Sequence, residues 1–230
     1  MPDTARYAIY YMPATTTALW TFGCRVLGYD PAHPGATPPQ PYDALATVAS
    51  ASAVQEPSVY GFHATLKAPF ELSAASTENA LLQSAQAFAR RERSFSIGPL
   101  RVTRLHTFIA LCPAERHEPL HQFADRCVVS FEPFRAPLSA HDRARRLAAP
   151  LSSEHIANLE RWGYPYVFAQ FQFHMTLSGS LGPDAIAPLH RALAELYAPI
   201  DTDLQIDGLA VFKQERRGER FRVLQRFAFG

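Results

Sequence analysis

The sequence predicts an α+β fold built as a bilobal pseudo-twofold repeat, in which each lobe is an antiparallel sheet with helices and the lobes enclose a central cleft. Three similarities recur in the same order in both halves of the chain, and ordered self-similarity indicates a repeated structural unit. The three pairs are Ile9–Ala14 with Ile109–Ala114, Phe62–Leu66 with Phe173–Leu177, and Ile97–Val102 with Ile206–Val211. We therefore expect a single bilobal domain over residues 1–230, with lobes at about 1–105 and 106–230.

Each copy is predicted to begin with a strand and a helix, followed by a second strand. Tyr7–Met12 and Thr107–Cys112 are short apolar runs that end at proline, which is typical of strands. Tyr60–Ala68 and Phe171–Leu181 alternate apolar and polar residues, as does a strand with one buried face. The pattern thus favours strands in both copies.

An amphipathic helix and a closing strand complete each copy. Ser76 is expected to cap a helix over Glu78–Arg91, and the apolar stripe ending at Tyr197 predicts its counterpart, with Pro188 in an early turn. Arg220–Phe229 alternates again and predicts one further strand. Two proline-rich stretches lie outside the repeat: Tyr29–Pro41 is predicted to be a surface loop, and Glu132–Pro150 an insertion or lid.

Composition excludes several classes of protein. The 22 basic and 21 acidic residues balance, which argues against a protein that holds long nucleic acid by its phosphates and favours a small ligand. No amino-terminal leader is apparent, and no apolar run approaches the roughly 18 residues of a membrane span, so a cytoplasmic protein is predicted. Cys24, Cys112 and Cys127 are expected to be reduced, buried thiols. No metal or cofactor is expected, and the oligomeric state stays open.

Two histidines are the strongest candidates for a functional site. Strand alternation places the side chains of each motif's histidine and threonine on one face and the apolar residues between them on the other. A lone histidine on a strand is usually structural, but here His-x-Thr recurs while the middle residue changes from Ala64 to Met175. The polar residues predicted to share a face are His63, Thr65 and Lys67 in the first copy and His174, Thr176 and Ser178 in the second. Paired imidazoles suit general acid and base catalysis near neutral pH, and the hydroxyls suit binding to phosphoryl oxygens.

The paired His-x-Thr motifs resemble those of the 2H phosphoesterase superfamily. The string from Tyr60 to Phe70, and Pro165–Phe168 leading into Phe173–Leu177, resemble a branch often found with phosphonate-metabolism genes. The resemblance implies a bilobal α+β fold with both motifs in a central cleft. It also implies cleavage of cyclic phosphates or phosphodiesters, or ligation of RNA ends, without metal. Under it, His63 and His174 are the catalytic histidines, and Thr65 and Thr176 bind phosphate, with acid and base unassigned.

Further residues are weaker candidates. Lys67 should add positive charge to the phosphate site. Arg104 and Lys213 occupy matching positions after Val102 and Val211, so they are expected either in the cleft or at solvated strand ends. Tyr60 and Tyr166 could stack on a ribose or base, although core packing is the ordinary role of such aromatics.

Two local patterns have competing interpretations. The cluster of Arg143, Arg145 and Arg146 is either a solvated helix end or part of a lid that contacts a phosphorylated substrate. His117–His121 matches HExxH, but Pro119 is unsuited to the unbroken helix that a zinc protease requires, so this chemistry is set aside.

The sequence therefore predicts a metal-independent phosphodiesterase that hydrolyses a small cyclic or linear phosphodiester, such as a sugar cyclic phosphate of phosphonate metabolism. The expected partner is a small-molecule phosphate ester. Two alternatives stay open. One is RNA-end processing, as a 2′,3′-cyclic phosphodiesterase or a ligase. The other is a non-catalytic nucleotide- or RNA-binding module, for which a second histidine would be unnecessary.

Overall fold

A computed structural model of the protein describes residues 4–48, 52–200 and 203–230. Strands and helices are interspersed along this part of the chain. The strands are β1 (Arg6–Tyr11), β2 (Ala64–Glu71), β3 (Phe95–Leu105), β4 (Phe108–Pro113), β5 (Met175–Thr176), β6 (Asp203–Ile206), β7 (Gly208–Gln214) and β8 (Arg222–Ala228). The helices are α1 (Ala18–Leu27), α2 (Asp43–Ala46), α3 (Ser52–Ser58), α4 (Glu78–Ala89), α5 (Glu118–Ser130), α6 (Ala140–Leu147), α7 (Ser153–Trp162) and α8 (Pro183–Tyr197). The predicted α+β class is confirmed.

In the described residues the strands form a sheet in the order β6-β3-β4-β5-β2-β1-β7-β8, with antiparallel neighbours throughout. Helix α4 packs on β7 and β8, while its counterpart α8 packs on β3 and β4. The two halves of the sheet, four strands each, therefore carry equivalent helices and meet where β5 pairs with β2.

The closing strands of the two copies are exchanged between the halves. In the first copy, β3 leaves β1 and β2 and pairs with β4, where Val102 lies opposite Leu111. In the second, β7 returns to the first copy and pairs with β1, where Val211 lies opposite Ile9. Each half of the sheet therefore contains strands from both sequence copies. The division into lobes at about 1–105 and 106–230 stays a prediction. Exchange ties the copies into one sheet with a shared core.

Strand β1 is buried along its whole length, as is expected of a strand covered on both faces. The core beside it is aromatic and closely packed. Phe62 is fully buried, and its ring lies so close to α1 that a Cβ at Gly23 would be 2.0 Å from it. Since Phe62 directly precedes His63, this contact anchors the segment that carries the first histidine.

Several predicted boundaries need correction. Helix α4 is capped by the Thr77 hydroxyl, which accepts the Ala80 N–H, rather than by Ser76. Strand β5 has two residues instead of the eleven of Phe171–Leu181, because a 3-10 turn at Phe168–Gln170 precedes it and the Leu177 and Ser178 N–H groups share one carbonyl of β4.

Several other segments have the structure that the sequence predicts. Helix α5 begins after His117 with Pro119 in its first turn, and Tyr29–Pro41 contains neither helix nor strand. The Glu132–Pro150 segment contains a 3-10 turn and α6. Cys24, Cys112 and Cys127 are buried free thiols. No helix among the described residues has both the length and the apolar character needed to cross a membrane.

Candidate active site

The two His-x-Thr motifs meet where the halves of the sheet join. Their middle residues, Ala64 and Met175, pair directly across β2 and β5 in antiparallel register. This register places His63 across from Thr176 and Thr65 across from His174. Each histidine therefore faces the threonine of the other copy, and the pseudo-twofold relation passes through the central pair. The apolar middle residues are buried, as the alternation predicted.

All four motif side chains line a common cavity of about 460 Å³. Two adjoining cavities repeat the crossed pairing: one of about 270 Å³ is lined by His63 and Thr176, and another of about 380 Å³ by Thr65 and His174. The other residues that line the common cavity are Arg6, Tyr10, Glu56, Tyr60, Ala68, Pro69, Arg145, Arg146 and Tyr164. The site therefore combines two imidazoles, two threonine hydroxyls, three tyrosines, three guanidinium groups and one carboxylate.

The imidazole of His63 is held in one orientation. Its Nδ1 lies 2.8 Å from the Gly61 carbonyl oxygen, which can only accept, so Nδ1 carries the proton. Gly61 itself has a φ of 75°, which favours glycine. The ring stacks on Tyr10, with centroids 3.7 Å apart and planes at 20°. Nε2 is left to act in the cavity, where it accepts from Thr65 Oγ1 at 3.3 Å in the neutral ring.

His174 has the same anchor in the second copy. Its Nδ1 donates to the Gln172 carbonyl oxygen at 2.9 Å, again two residues earlier in the chain. Phe108 lies beside the ring at a centroid distance of 5.8 Å. The backbone thus sets the same tautomer in both histidines, and both present Nε2 as the reactive atom.

Burial lowers the pKa of both histidines, since desolvation disfavours the charged imidazolium. The pKa of His63 falls to about 4: desolvation dominates, the bond to Gly61 opposes it, and the charge of nearby His174 lowers it further. The pKa of His174 is lowered by desolvation, against the effect of its bond to Gln172. Both imidazoles are therefore neutral near pH 7 before an anion binds.

This chain matches a known sequence family. Residues 65–222 match the family described as "Protein of unknown function (DUF1045)". The chain belongs to this family. The match runs from the threonine of the first motif through the whole of the second.

Two curated relatives extend the similarity to nearly the whole chain. "Ribose 1,5-bisphosphate phosphokinase PhnN" of Janthinobacterium sp. (strain Marseille) is 34% identical over 97% of this chain and 51% of its own. The protein of the same name from Laribacter hongkongensis (strain HLHK9) is 32% identical over 95% of this chain and 50% of its own. The chain thus spans about half the length of the curated relatives it matches. These names fit the predicted phosphonate-metabolism branch.

The chain is also similar to solved structures. E. coli LigT complexed with NADP+ aligns over 99% of this chain and 98% of its own, with 13% identity and a TM-score of 0.44. A phosphoesterase crystal structure aligns over 99% of both chains, with 13% identity and a TM-score of 0.43.

Lys67 does not lie in the predicted place. The β1–β2 register shifts between the pairs Ile9–Lys67 and Tyr10–Thr65, so Leu66 is an extra residue and β2 bulges there. The bulge breaks the alternation, and Lys67 is buried instead of sharing a face with His63. Its ammonium donates to the Val128 carbonyl at 2.9 Å and to Glu132 at 2.8 Å. It is not among the residues that line the cavity of the two histidines.

Replacing Lys67 with methionine should therefore reduce stability more than phosphate binding. The change removes one of two cationic partners from the partly buried Glu132 carboxylate and the side-chain donor from the Val128 carbonyl, so we expect a loss of about 1–3 kcal/mol in the free energy of unfolding. Denaturant titration measures this loss, and calorimetry with inorganic phosphate measures binding. The double variant Lys67→Met/Glu132→Gln is the control and should recover part of the stability. A weaker affinity for phosphate with unchanged stability would restore Lys67 to the site.

The two matching cations after Val102 and Val211 are also outside the site. Arg104 is exposed, and its Nε donates to the His106 carbonyl at 2.9 Å. Lys213 forms ion pairs with Glu78 and Glu215, both at 2.9 Å. Neither lines the cavity that contains the histidines, so the structure does not bring either cation into the site.

The remaining predicted residues, Tyr60, Tyr166 and Ser178, lie in different surroundings. Tyr60 lines the common cavity and stacks on Phe221 at 5.4 Å. Tyr166 is 44% exposed and lines the adjoining cavity on the His174 side. Ser178 is fully buried, and its hydroxyl accepts the Ile109 N–H at 2.9 Å and donates to the Gly179 carbonyl at 3.0 Å. The hydroxyl of Ser178 therefore braces the backbone of β4.

Sequence reasoning missed part of the site. Arg6, Tyr10 and Tyr164 line the cavity, but none belongs to a His-x-Thr motif. The similarity of Ile9–Ala14 to Ile109–Ala114 located β1 without indicating that Tyr10 supports His63. The arginine cluster did carry a signal: Arg145 and Arg146 reach the cavity, while Arg143 pairs at the surface with Glu160.

Proposed function

We propose that this chain hydrolyses a small phosphodiester by general acid and base catalysis through His63 and His174. The observation that carries the proposal is the crossed arrangement of two identically anchored histidines and two threonines around one cavity. Two imidazoles with Nε2 facing a shared space can take a proton on one side of a phosphorus atom and give one on the other.

The proposed reaction needs only water and the side chains of the site. One neutral imidazole takes a proton from water as the water oxygen bonds to phosphorus. The other, as imidazolium, gives its Nε2 proton to the alkoxide that leaves as the opposite P–O bond breaks. Thr65 and Thr176 donate hydrogen bonds to the nonbridging oxygens, where negative charge develops. For a cyclic diester the product is a phosphomonoester on the same molecule.

A sugar cyclic phosphate is the substrate class we propose. The curated relatives are named for an enzyme acting on ribose 1,5-bisphosphate, a sugar bearing two phosphomonoesters. Opening a cyclic phosphate on ribose leaves one phosphomonoester on that sugar. A cavity of about 460 Å³ suits a ligand of this size and not a long nucleic acid.

A substrate panel tests the proposal. Ribose 1,2-cyclic, nucleoside 2′,3′-cyclic and nucleoside 3′,5′-cyclic phosphates would be incubated with the protein in excess chelator, and released monoester measured by 31P NMR. We expect turnover of the ribose 1,2-cyclic phosphate in the presence of chelator. A preference for 2′,3′-cyclic ends would favour RNA-end processing. Absence of turnover on every member would leave the cavity as a binding site only.

The pH dependence follows from the lowered histidine pKa values. In the free protein, kcat/KM requires one neutral and one protonated imidazole, so its pH profile is a bell. Because the pKa of His63 is lowered to about 4 and that of His174 is also lowered, the maximum should lie below pH 6.5. Above it, kcat/KM should fall about tenfold per pH unit as the imidazolium is lost.

The kcat profile should lie at higher pH than the kcat/KM profile. A bound phosphodiester anion stabilises the imidazolium and raises its pKa, which extends the active range of the complex. Initial rates from pH 4 to 9 at low and saturating substrate separate the two profiles. A flat profile across this range would contradict paired histidine catalysis.

A further inference from the structure

Arginine side chains gather on one wall of the histidine cavity. Arg6, from β1, and Arg145 and Arg146, from α6, line the cavity together with Tyr164. Arg6 is 9% exposed and Arg146 is partly buried, with its guanidinium 5.1 Å from the centre of the Tyr164 ring. Arg145 is more open and forms the rim. Three cations thus face a space that already holds two imidazoles.

The carboxylates nearby are engaged elsewhere. Asp142 accepts from Arg217 at 2.9 and 2.7 Å and from the Ser139 hydroxyl, and it reaches Arg145 only at 3.5 Å. Arg217 also binds Glu71. Glu71 and Asp142 are therefore occupied mainly by Arg217, which does not line the histidine cavity, whereas Glu56 lines the cavity and is exposed.

The guanidinium groups of Arg6 and Arg146 form no ion pair with the described residues. The Nε of Arg6 donates to the neutral amide of Gln214 at 2.7 Å, and the Nε of Arg146 is buried without a hydrogen-bond partner. Within residues 4–48, 52–200 and 203–230, no carboxylate lies within ion-pair distance of either guanidinium. Burial lowers the pKa of both arginines and neighbouring arginines lower it further, against the raising effects of Tyr60 and Tyr10 on Arg6 and of Tyr164 and Asp142 on Arg146. Uncompensated buried charge is costly, so this arrangement suits an anion from outside the chain.

We propose that Arg6 and Arg146, with Arg145 at the rim, bind a second phosphate of the substrate, a terminal phosphomonoester separate from the diester that the histidines cleave. This inference rests on the proposed function and narrows its substrate to a phosphorylated sugar cyclic phosphate. A diester carries one negative charge, whereas a phosphomonoester carries nearly two at neutral pH and suits a set of guanidinium groups.

A binding experiment tests the arginine site without relying on catalysis. Calorimetry would compare ribose 5-phosphate with ribose on the wild-type chain and on Arg146→Gln. We expect ribose 5-phosphate to bind, ribose not to bind, and Arg146→Gln to weaken binding at least about tenfold through loss of a charge-assisted contact. Arg143→Gln is the matched control, because Arg143 lies on the same helix and pairs with Glu160 at the surface. Equal binding by Arg146→Gln, or no binding by the wild type, would overturn the proposal.

A second variant locates the bound phosphate. In Thr65→Val/Thr176→Val the hydroxyls of the motifs are lost, while the arginines stay. Ribose 5-phosphate should bind this variant as it binds the wild type. Loss of binding here, with retention in Arg146→Gln, would place the phosphate at the motifs and overturn the proposal. Thermal melting controls for folding: Arg146→Gln should melt no lower than the wild type, because it removes a partly buried charge that forms no ion pair with the described residues.

Measurements of kcat/KM on two substrates distinguish failure of the arginine site from failure of the proposed function. With ribose 1,2-cyclic phosphate that carries a 5-phosphate, Arg146→Gln should lower kcat/KM at least about tenfold, and with the unphosphorylated analogue much less. Equal loss on both substrates would assign Arg146 to the reacting diester and leave the proposed function standing. If the wild type hydrolyses neither, the proposed function fails, and calorimetry still decides whether the arginines bind phosphate.

Discussion

Replacing either His63 or His174 with alanine is expected to lower kcat/KM by about 10²–10⁴-fold, because each removes one half of a coupled proton transfer. The double variant should lose little more than either single variant, since neither histidine can complete the reaction alone. Turnover of the cyclic phosphate in excess chelator measures the effect. His33→Ala is the matched control: its ring is exposed and pairs with Asp30 outside the cavity.

The anchoring of the rings allows a sharper version of this experiment. In His63→Asn the side-chain amide can still donate to the Gly61 carbonyl but cannot exchange a proton at the position of Nε2. We expect His63→Asn to melt close to the wild type and to lose as much activity as His63→Ala. Substantial activity in both alanine variants would rule out the proposed catalytic pair. Activity recovered in the asparagine variant would show that His63 positions the strand and does not transfer a proton.

Replacing Thr65 or Thr176 with valine is expected to lower kcat by about 10²–10³-fold, the range for loss of one preorganised donor to a developing oxyanion. Valine keeps the branched shape that suits a strand and removes only the hydroxyl. Serine at the same positions should recover most of the activity, since it restores the donor. Steady-state kinetics on the cyclic phosphate separates an effect on kcat from one on KM.

A threonine elsewhere in the sheet controls for strand propensity. Thr103 lies on β3, its hydroxyl donates to the Arg101 carbonyl, and it does not line the cavity. Thr103→Val should therefore retain full kcat. If Thr65→Val and Thr176→Val behave like Thr103→Val, the hydroxyls do not stabilise the transition state, and the proposed role of the threonines fails.

The crossed register explains why the two motifs could be recognised from sequence. Each motif needs its polar residues on the cavity side and an apolar residue between them, and strand alternation meets this need within three residues. Ala64 and Met175 differ because only burial and pairing constrain them. A local pattern that is used twice leaves a repeat, and a repeat can be detected without knowledge of the fold.

Lys67, Arg6 and Arg146 show where local patterns are insufficient. Alternation placed Lys67 beside Thr65, but a bulge in the pairing with β1, which is distant in sequence, turned it toward Glu132. Arg6 enters the cavity because β1 lies between β2 and β7. Arg146 enters from α6 with its guanidinium over the Tyr164 ring, and no motif marks that contact. In each case the partner is far away in the chain.

The sequence by itself determined the α+β class, the repeat, and the two His-x-Thr motifs, because periodicity and capping act over a few residues. The tertiary structure decided the exchange of β3 and β7, the bulge that removes Lys67, and the arginine wall of the cavity. These features depend on which strands pair and in what register. Such choices are made by long-range packing and hydrogen bonding, which short segments do not encode.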